Sequence, residues 1–128
     1  MKIKLSSVLV EDQAKALAFY TEKLGFVKKE DIPMGPHRWL TVVSPSEPSG
    51  TELVLEPLGL PCSVTYQKEL YAAGVPITAL FVDDMKAEHA RLQGLGVVFR
   101  REPMTIPGGP TIAQIEDTCG NLLQLVQV

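Results

Sequence analysis

The chain contains an internal duplication, and this feature restricts its possible folds more than any other. Val8-Leu9-Val10-Glu11-Asp12 is matched about half a chain later by Leu80-Phe81-Val82-Asp83-Asp84. In both copies an apolar, strand-like run ends at an acidic residue suited to capping a helix N-terminus. A glycine suited to a helix C-terminus follows, Gly25 in the first copy and Gly96 in the second. The sequence therefore predicts the same strand and helix twice.

Three strand-like stretches follow each predicted helix. They cover 26–30, 38–43 and 52–56 in the first half, and 97–101, 111–116 and 121–126 in the second half. Segments rich in proline and glycine separate them, as expected of turns. Each half is therefore predicted to be a βαβββ module. Residues 1–57 form the first module, 58–74 a linker with a short helix, and 75–128 the second module of a single domain.

The two predicted helices carry different apolar patterns. Over 13–24, a stripe at three-to-four spacing is predicted to pack on a sheet, and it consists of Ala14, Leu17, Ala18, Thr21 and Leu24. Over 85–95, Met85, His89 and Leu92 share one face. This position predicts that His89 is a histidine at the edge of the core rather than a functional group.

Composition and charge argue against two classes of partner. The 12 Lys and Arg residues against 15 Asp and Glu residues give a net charge of −3, so no excess positive field attracts nucleic acid. No apolar run approaches the roughly 18 to 20 residues that span a bilayer, and the first residues do not resemble a signal peptide. We therefore expect a soluble cytoplasmic protein that binds neither nucleic acid nor membrane.

The cysteines and histidines do not predict a metal centre. Cys62 and Cys119 are too few and too isolated for a disulfide framework or a thiolate zinc site, so reduced thiols are expected. Cys119 lies in a predicted turn where its thiol could be exposed, but no His or Lys stands beside it to activate it. His37 and His89 lie on different elements and lack the spacing of a paired metal site.

Two motifs suggest a family. Phe19-Tyr20 is followed after three residues by Leu24-Gly25-Phe26, and Asp117-x-x-Gly120-Asn121 precedes the final strand. Together with the doubled βαβββ pattern, these motifs resemble the vicinal oxygen chelate superfamily, which includes glyoxalase I, extradiol dioxygenases, and fosfomycin- and bleomycin-resistance proteins. The resemblance covers nearly the whole chain. It implies an α+β fold in which two βαβββ modules form an open, U-shaped mixed sheet around a cleft.

The resemblance also implies where a metal would bind. Metal-dependent members hold one divalent cation on His, Glu or Gln side chains from the first and last strands of each half. Here the first position falls at Leu5 and the third at Ile77, or at Thr78 if the register shifts by one residue. Glu56 and Gln124 match the second and fourth positions. The resemblance therefore implies no cofactor, or at most a weakly held divalent cation on these two oxygen ligands.

The strand over 38–43 contributes two further candidates. Alternation sends Arg38 and Trp39 to opposite faces, and the sequence does not choose which one lines the cleft. Trp39 could stack on a planar ligand, while Arg38 could pair with Glu56 or with an anionic ligand. The candidate ligand-binding residues are Leu5, Ser7, Arg38, Trp39, Glu56, Ile77 and Gln124.

The segment 102–110 is the richest in turn residues, with three prolines and two glycines. It is predicted to be either a mobile flap over the cleft or a plain surface loop.

Three functions are consistent with these residues. The first is binding of a small organic ligand in the cleft without a complete metal site, as in bleomycin-resistance proteins. The second is a glyoxalase-like or dioxygenase-like enzyme that uses Glu56 as a catalytic base or metal ligand. The third is a protein with a vestigial cleft that acts through its dimer surface. A homodimer is expected because open sheets leave edges and apolar faces to cover.

Overall fold

The structure, a computed structural model, describes all of residues 1–128. It divides into two compact units, Met1–Thr65 and Tyr66–Val128. Each unit contains a four-stranded sheet in which the first strand runs parallel to the last, and a helix connects the first strand to the second. The predicted α+β fold with two βαβββ modules is confirmed.

The first unit contains the first predicted module. Its elements are β1 (Leu5–Val10), α1 (Gln13–Ala18) with a π-helical turn (Phe19–Lys23), β2 (Val27–Met34), β3 (His37–Val43) and β4 (Glu52–Pro57). The strand order is β1-β4-β3-β2, with β1 parallel to β4 and the other pairs antiparallel. As predicted, Asp12 caps α1, because its Oδ1 accepts a hydrogen bond of 3.0 Å from the Lys15 backbone N–H.

The second unit repeats this arrangement. Its elements are the end of α2 (Pro61–Ala72), β5 (Thr78–Phe81), α3 (Met85–Gly94), β6 (Phe99–Thr105), β7 (Thr111–Glu116) and β8 (Leu122–Gln127). The strand order is β5-β8-β7-β6. Asp84 caps α3 through a hydrogen bond of 3.0 Å from the Ala87 N–H, as Asp12 does for α1. None of the helices is long and apolar enough to cross a membrane.

The predicted packing stripe of the first helix is wrong. The buried side chains are Ala16, Phe19 and Tyr20, whereas Ala14 and Ala18 are exposed and the other predicted stripe residues are only half-buried. The π-helical turn contains a hydrogen bond from the Leu24 N–H to the Phe19 oxygen, five residues apart, so the 3.6-residue period fails there. The core-facing side of the helix is set by its two aromatic rings, which bury the most apolar surface.

The predicted face of α3 is confirmed. Met85 and Leu92 are buried, and His89 is half-buried between them. The His89 ring packs edge-on against Phe99 with 4.6 Å between ring centroids. Its Nε2 lies 2.6 Å from Glu102 Oε2, but the ring N–H is not aligned for a hydrogen bond. His89 therefore occupies the edge of the core.

The first four residues of the predicted flap over 102–110 are strand, and the remaining five form the turn. β6 continues through Thr105, so the connection to β7 is a short turn. That turn is hydrogen-bonded from the Ile106 N–H to the Pro110 oxygen at 2.9 Å and from the Gly109 N–H to the Ile106 oxygen at 2.8 Å. Pro103 fits within β6 because an edge strand leaves one row of its N–H groups unpaired. The predicted loop between the two strands therefore exists, but it starts at residue 106 rather than at residue 102.

A buried carboxylate organises the turn between β7 and β8. Asp117 Oδ1 accepts hydrogen bonds from the N–H groups of Cys119 at 2.8 Å and Asn121 at 3.0 Å, and Oδ2 accepts one from Asn121 Nδ2 at 2.7 Å. Thr118 adopts a φ of 62° in this turn. Cys119 is only 1% exposed, so the expectation of an exposed thiol there is wrong. Cys62, in the first turn of α2, is exposed.

Candidate functional site

Each sheet has one face covered by its own helix and one face without a helix. In the first unit α1 contacts β3 and β4. The side chains beneath α1 alternate along the strands and are almost fully buried, namely Val8, Val10, Leu40, Val42 and Leu55. Residues of the opposite parity form what we call the helix-free face of the first sheet.

Four of the candidate ligand-binding residues lie on the helix-free face of the first sheet. Leu5 pairs in register with Glu52, and Ser7 pairs with Val54. Glu56 lies two residues beyond Val54 and shares its face, because side chains alternate along a strand. Trp39 is half-buried and joins them, because it has the parity of Thr41, which pairs with Val54.

Arg38 lies on the opposite face from Trp39. Its guanidinium holds Asp31 in a two-point ion pair, with Nε 2.9 Å from Oδ1 and Nη2 2.7 Å from Oδ2. This hydrogen-bonded guanidinium lowers the pKa of Asp31 to about 2. The ion pair with Glu56 that the sequence left open is therefore not formed, because Arg38 is on the other side of the sheet.

The polar groups at the centre of the first helix-free face bind one another. Thr41 is completely buried, and its hydroxyl donates to Glu52 Oε1 at 2.7 Å and accepts from the Glu30 N–H at 3.1 Å. Lys29 Nζ lies 3.9 Å from Glu52 Oε2. Thr41 and Glu52 therefore serve the stability of the sheet.

The second sheet has the same two-faced construction. α3 contacts β6 and β8, and the residues on its side of the sheet are buried, namely Ala113, Ile115, Leu123 and Leu125. Gln124 has the opposite parity and lies on the helix-free face, paired in register with Ala79 on one side and Gln114 on the other. Ile77 precedes β5 with the parity of Ala79, and its N–H donates to the Leu122 oxygen at 2.9 Å.

Gln114 is a candidate that the sequence reasoning missed. It is only 7% exposed and lies directly opposite Gln124. Neither side-chain amide forms a hydrogen bond within the protein. A signal was available, because Gln114 interrupts the apolar run of β7 just as Gln124 interrupts the run of β8.

The paired registers identify equivalent positions in the two sheets. Leu5 and Ile77 correspond, because each lies seven residues before the capping aspartate of its half, Asp12 or Asp84. Leu5 lies beside Glu52, and Ile77 lies beside Leu122. Two residues further along each last strand, Gln124 corresponds to Val54 rather than to Glu56. Their partners across the next strand, Gln114 and Thr41, correspond as well.

This correspondence tests the metal site that the resemblance implied. The four equivalent positions carry Leu5, Val54, Ile77 and Gln124, and three of these side chains are hydrocarbon. A divalent cation needs several N, O or S donors at such positions, so the residues present do not fit it. Nowhere in the chain do three His, Cys, Asp or Glu side chains converge in a way that could hold a metal ion.

A three-residue polar cluster borders the helix-free face of the second sheet. Arg100 Nη1 donates to Glu116 Oε1 at 2.8 Å and to the Tyr71 hydroxyl at 3.0 Å, and that hydroxyl donates to Glu116 at 2.8 Å. The hydrogen bond from Arg100 lowers the pKa of Glu116, whereas the hydrogen bond to Glu116 raises the pKa of Tyr71. These charges are thus already neutralised by each other.

A concave pocket of about 580 Å³ lies on the α3 side of the second unit. It is lined by Asp84, Met85, Lys86, His89, Glu102, Pro103, Thr105, Thr111 and Gln127. None of the candidate ligand-binding residues lines it. His89, its one imidazole, is held against Phe99 and Glu102.

Comparisons with known proteins agree with the doubled module. Over 127 residues the chain is 54% identical to the uncharacterized protein YurT of Bacillus subtilis (strain 168), covering 99% of both chains. The crystal structure of UcmS2 matches with a TM-score of 0.85 at 33% identity, covering 100% of this chain and 98% of that one. TnmS3, an antibiotic binding protein from Streptomyces sp. CB03234, matches with a TM-score of 0.77 at 33% identity, covering 99% of this chain and 95% of that one.

A family model matches residues 2–125, almost the whole of both βαβββ modules. The resemblance inferred from the glycine motif and the duplication is thereby confirmed. The chain belongs to the Glyoxalase/Bleomycin resistance protein/Dioxygenase superfamily.

Proposed function

We propose that the protein binds a small organic molecule on the helix-free faces of its sheets and uses no resident metal ion to do so. The observation that carries this proposal is the make-up of those faces. The face of the first unit presents the half-buried Trp39 and the exposed Leu5, and the face of the second unit presents the exposed Phe81 and two glutamine amides without a hydrogen bond in the protein. A mainly apolar face with a few polar groups suits an organic ligand.

One relative supports the class of ligand. TnmS3 is an antibiotic binding protein and shares 33% of its residues with this chain over nearly its whole length. Hydrocarbon side chains at three of the four equivalent metal positions support binding without a cation. The expected ligand is therefore an organic compound that contacts aromatic and aliphatic side chains rather than a metal-chelated substrate.

Thermal denaturation against a library of organic compounds, including antibiotics, tests the proposal. A ligand present at 100 times its Kd stabilises the folded state by about 2.7 kcal/mol, which raises the melting temperature measurably. Trp39→Leu should weaken binding of a hit because it removes the largest ring from the helix-free face. Arg38→Met is the matched control, since the neighbouring side chain lies on the other face. Equal losses in both variants, or no stabilising compound, would contradict the proposal.

A substitution of Glu56 distinguishes a binding function from a catalytic one. Glu56 is half-buried on the helix-free face, and its carboxylate forms no hydrogen bond within the protein. Under the proposal, Glu56→Gln changes affinity for a hit by a modest factor. If the protein converts a hit to product and Glu56→Gln abolishes that turnover, the protein is an enzyme that uses this carboxylate as a base.

We also propose that the protein forms a homodimer. The edge strand β2 exposes Ile32 and Met34. Exposed apolar side chains on sheet edges favour association with another chain. Light scattering at micromolar concentration should give twice the mass of the chain, and Ile32→Lys should reduce it. A monomeric mass for the unaltered protein would contradict the proposal.

A further inference from the structure

A β-bulge turns Arg101 onto the helix-free face of the second sheet. Phe99 of β6 pairs with Ile115 and packs against His89 of α3, so it lies on the helix-covered face. Regular alternation would place Arg101, two residues later, on that face as well. The register shifts between these two positions, however, and Arg101 pairs with Gln114 of the helix-free face. Bulges that re-aim a side chain in this way are frequent beside functional sites.

The bulge completes a row of side chains across the helix-free face. Gln114 pairs with Arg101 on one side and with Gln124 on the other. Gln124 in turn pairs with Ala79 of β5. Neighbouring strands lie about 4.7–4.9 Å apart, so the row extends about 14 Å. Its end at β5 is apolar, because Ala79 is small and Phe81, two residues further along the same face, is 70% exposed.

The row carries one positive charge that the protein does not neutralise. Arg100 and Glu116 border the same face and form an ion pair with 2.8 Å between Nη1 and Oε1. Glu102, next to Arg101 in sequence, lies against His89 on the helix-covered face. Arg101 is exposed, and its guanidinium forms no ion pair or hydrogen bond within the protein. An acidic partner for Arg101 must therefore come from outside this unit's sheet.

The two amides beside Arg101 are accessible to such a partner. Gln114 is 7% exposed and Gln124 is half-buried, and neither side chain forms a hydrogen bond within the protein. Their polar atoms nevertheless remain in contact with solvent. An exposed charge on an edge strand discourages pairing with other chains. That role explains a charge on β6 but not the two accessible amides aligned with it.

We propose that Arg101, Gln114 and Gln124 form a subsite for the carboxylate of an aromatic acid, whose ring extends towards Phe81. This inference rests on the proposed function, because it names the charged group that the ligand presents to the second sheet. A planar guanidinium donates two parallel hydrogen bonds to a carboxylate, and a carboxamide NH₂ group donates to its remaining lone pairs. The single charge of Arg101 matches a monocarboxylate, whereas a phosphate monoester carries nearly two negative charges at neutral pH.

Two-dimensional NMR of the ¹⁵N-labelled protein tests the proposal, because the Arg101 Nε–H and the glutamine NH₂ groups give their own signals. The probes are 2-naphthoate, which is ionised at neutral pH, and 2-naphthamide, which keeps the ring and a planar head group without the charge. Titration with 2-naphthoate should shift these side-chain signals. Its affinity should exceed that of 2-naphthamide about tenfold, which corresponds to about 1.4 kcal/mol. Raising the ionic strength should reduce this preference, because salt screens exposed charges.

Four variants locate the effect. Arg101→Gln should abolish the preference for 2-naphthoate, and Arg101→Lys should retain part of it, because lysine keeps the charge but loses the two-point geometry. Gln114→Leu should weaken binding of 2-naphthoate, because the carboxylate loses a donor. Lys86→Gln is the matched control. It removes one exposed positive charge from α3, on the other side of the same sheet, and should leave the preference unchanged.

The outcomes separate this inference from the proposed function. Equal affinity for the two probes would overturn the carboxylate subsite and leave the binding function standing. An equal loss of preference in Arg101→Gln and Lys86→Gln would also overturn the subsite, because the effect would then come from net charge alone. Absence of binding by both probes would overturn it too, while the compound library still tests the binding function. The backbone spectrum shows whether each variant is folded, and the titration of the unaltered protein decides the proposal even if one is not.

Discussion

The two halves of the chain share a topology but use the centre of their helix-free faces differently. In the first half, the central polar residue is Thr41, whose hydroxyl is satisfied by Glu52 and by the Glu30 backbone. In the second half, the equivalent residue is Gln114, whose amide has no partner in the protein. A duplicated module can thus keep its strand register while one copy uses a position for hydrogen bonds within the sheet and the other copy does not.

The largest expected effect on stability comes from a buried leucine that both halves carry at equivalent positions. Leu55 and Leu125 are equivalent, nearly fully buried residues beneath α1 and α3. Leu55→Ala and Leu125→Ala should each lower the free energy of unfolding by about 2–5 kcal/mol, because each leaves a cavity under its helix. Chemical denaturation measures both. A much smaller loss for one of them would show that the helix of that half is packed more loosely than its counterpart.

A smaller effect on stability should distinguish the central polar residues of the two helix-free faces. Thr41→Val should lower the free energy of unfolding by about 1–3 kcal/mol, because Glu52 and the Glu30 N–H lose their partner. Gln114→Leu should leave stability unchanged or raise it by up to about 1 kcal/mol, because the amide has no hydrogen bond within the protein to lose and leucine buries more apolar surface. Thr41→Ser, which keeps the hydroxyl, is the control. Similar losses from Thr41→Val and Gln114→Leu would remove the distinction between the halves.

The turn between β7 and β8 contains a residue in a strained backbone conformation. Thr118 is the one residue other than glycine with positive φ, at 62°, and a β-branched side chain is strained there. Thr118→Asn should raise the free energy of unfolding by about 0.5–1 kcal/mol, because asparagine tolerates this conformation better. Thermal unfolding measures the gain. A loss of stability would mean that the threonine side chain contributes contacts that outweigh its strain.

The smallest effect on stability is expected when the pH is lowered. Arg38 lowers the pKa of Asp31 from 3.8 to about 2, so this pair stabilises the folded state above pH 3.8. Its contribution is lost as the pH falls from 3.8 towards 2, because Asp31 then becomes protonated. Asp31→Asn should therefore flatten the dependence of stability on pH in that interval. Arg100 lowers the pKa of Glu116 in the second half, and Glu116→Gln should act in the same direction.

The duplication and its capping residues made most of the fold predictable. Asp12 and Asp84 cap their helices as the sequence indicated, and all eight strands occur in the predicted order. The face of the first helix was not predictable from a 3.6-residue period, because the π-helical turn breaks that period at Phe19. Pro33 and Pro103 suggested turns, but both lie in the edge strands β2 and β6, where a missing N–H is tolerated.

The sequence predicted the type of candidate site but not all of its residues. Alternation along β4 puts Glu52, Val54 and Glu56 on one face, but the sequence does not say which face the helix covers. That choice depends on long-range packing, which puts Trp39 on the helix-free side and Arg38 beside Asp31. Gln114 was missed because its importance depends on the residue opposite it, and cross-strand register is not visible in a single sequence.

The unequal burial of the two cysteines has a practical consequence. Cys62 is exposed in the first turn of α2, whereas Cys119 is enclosed in the Asp117 turn. A maleimide dye or spin label should therefore react at Cys62 alone, without any engineered substitution. Since Trp39 is the chain's sole tryptophan, the unaltered protein offers one intrinsic donor and one attachment point for an acceptor. Energy transfer between the two could report ligand-induced changes in a protein that retains its natural sequence.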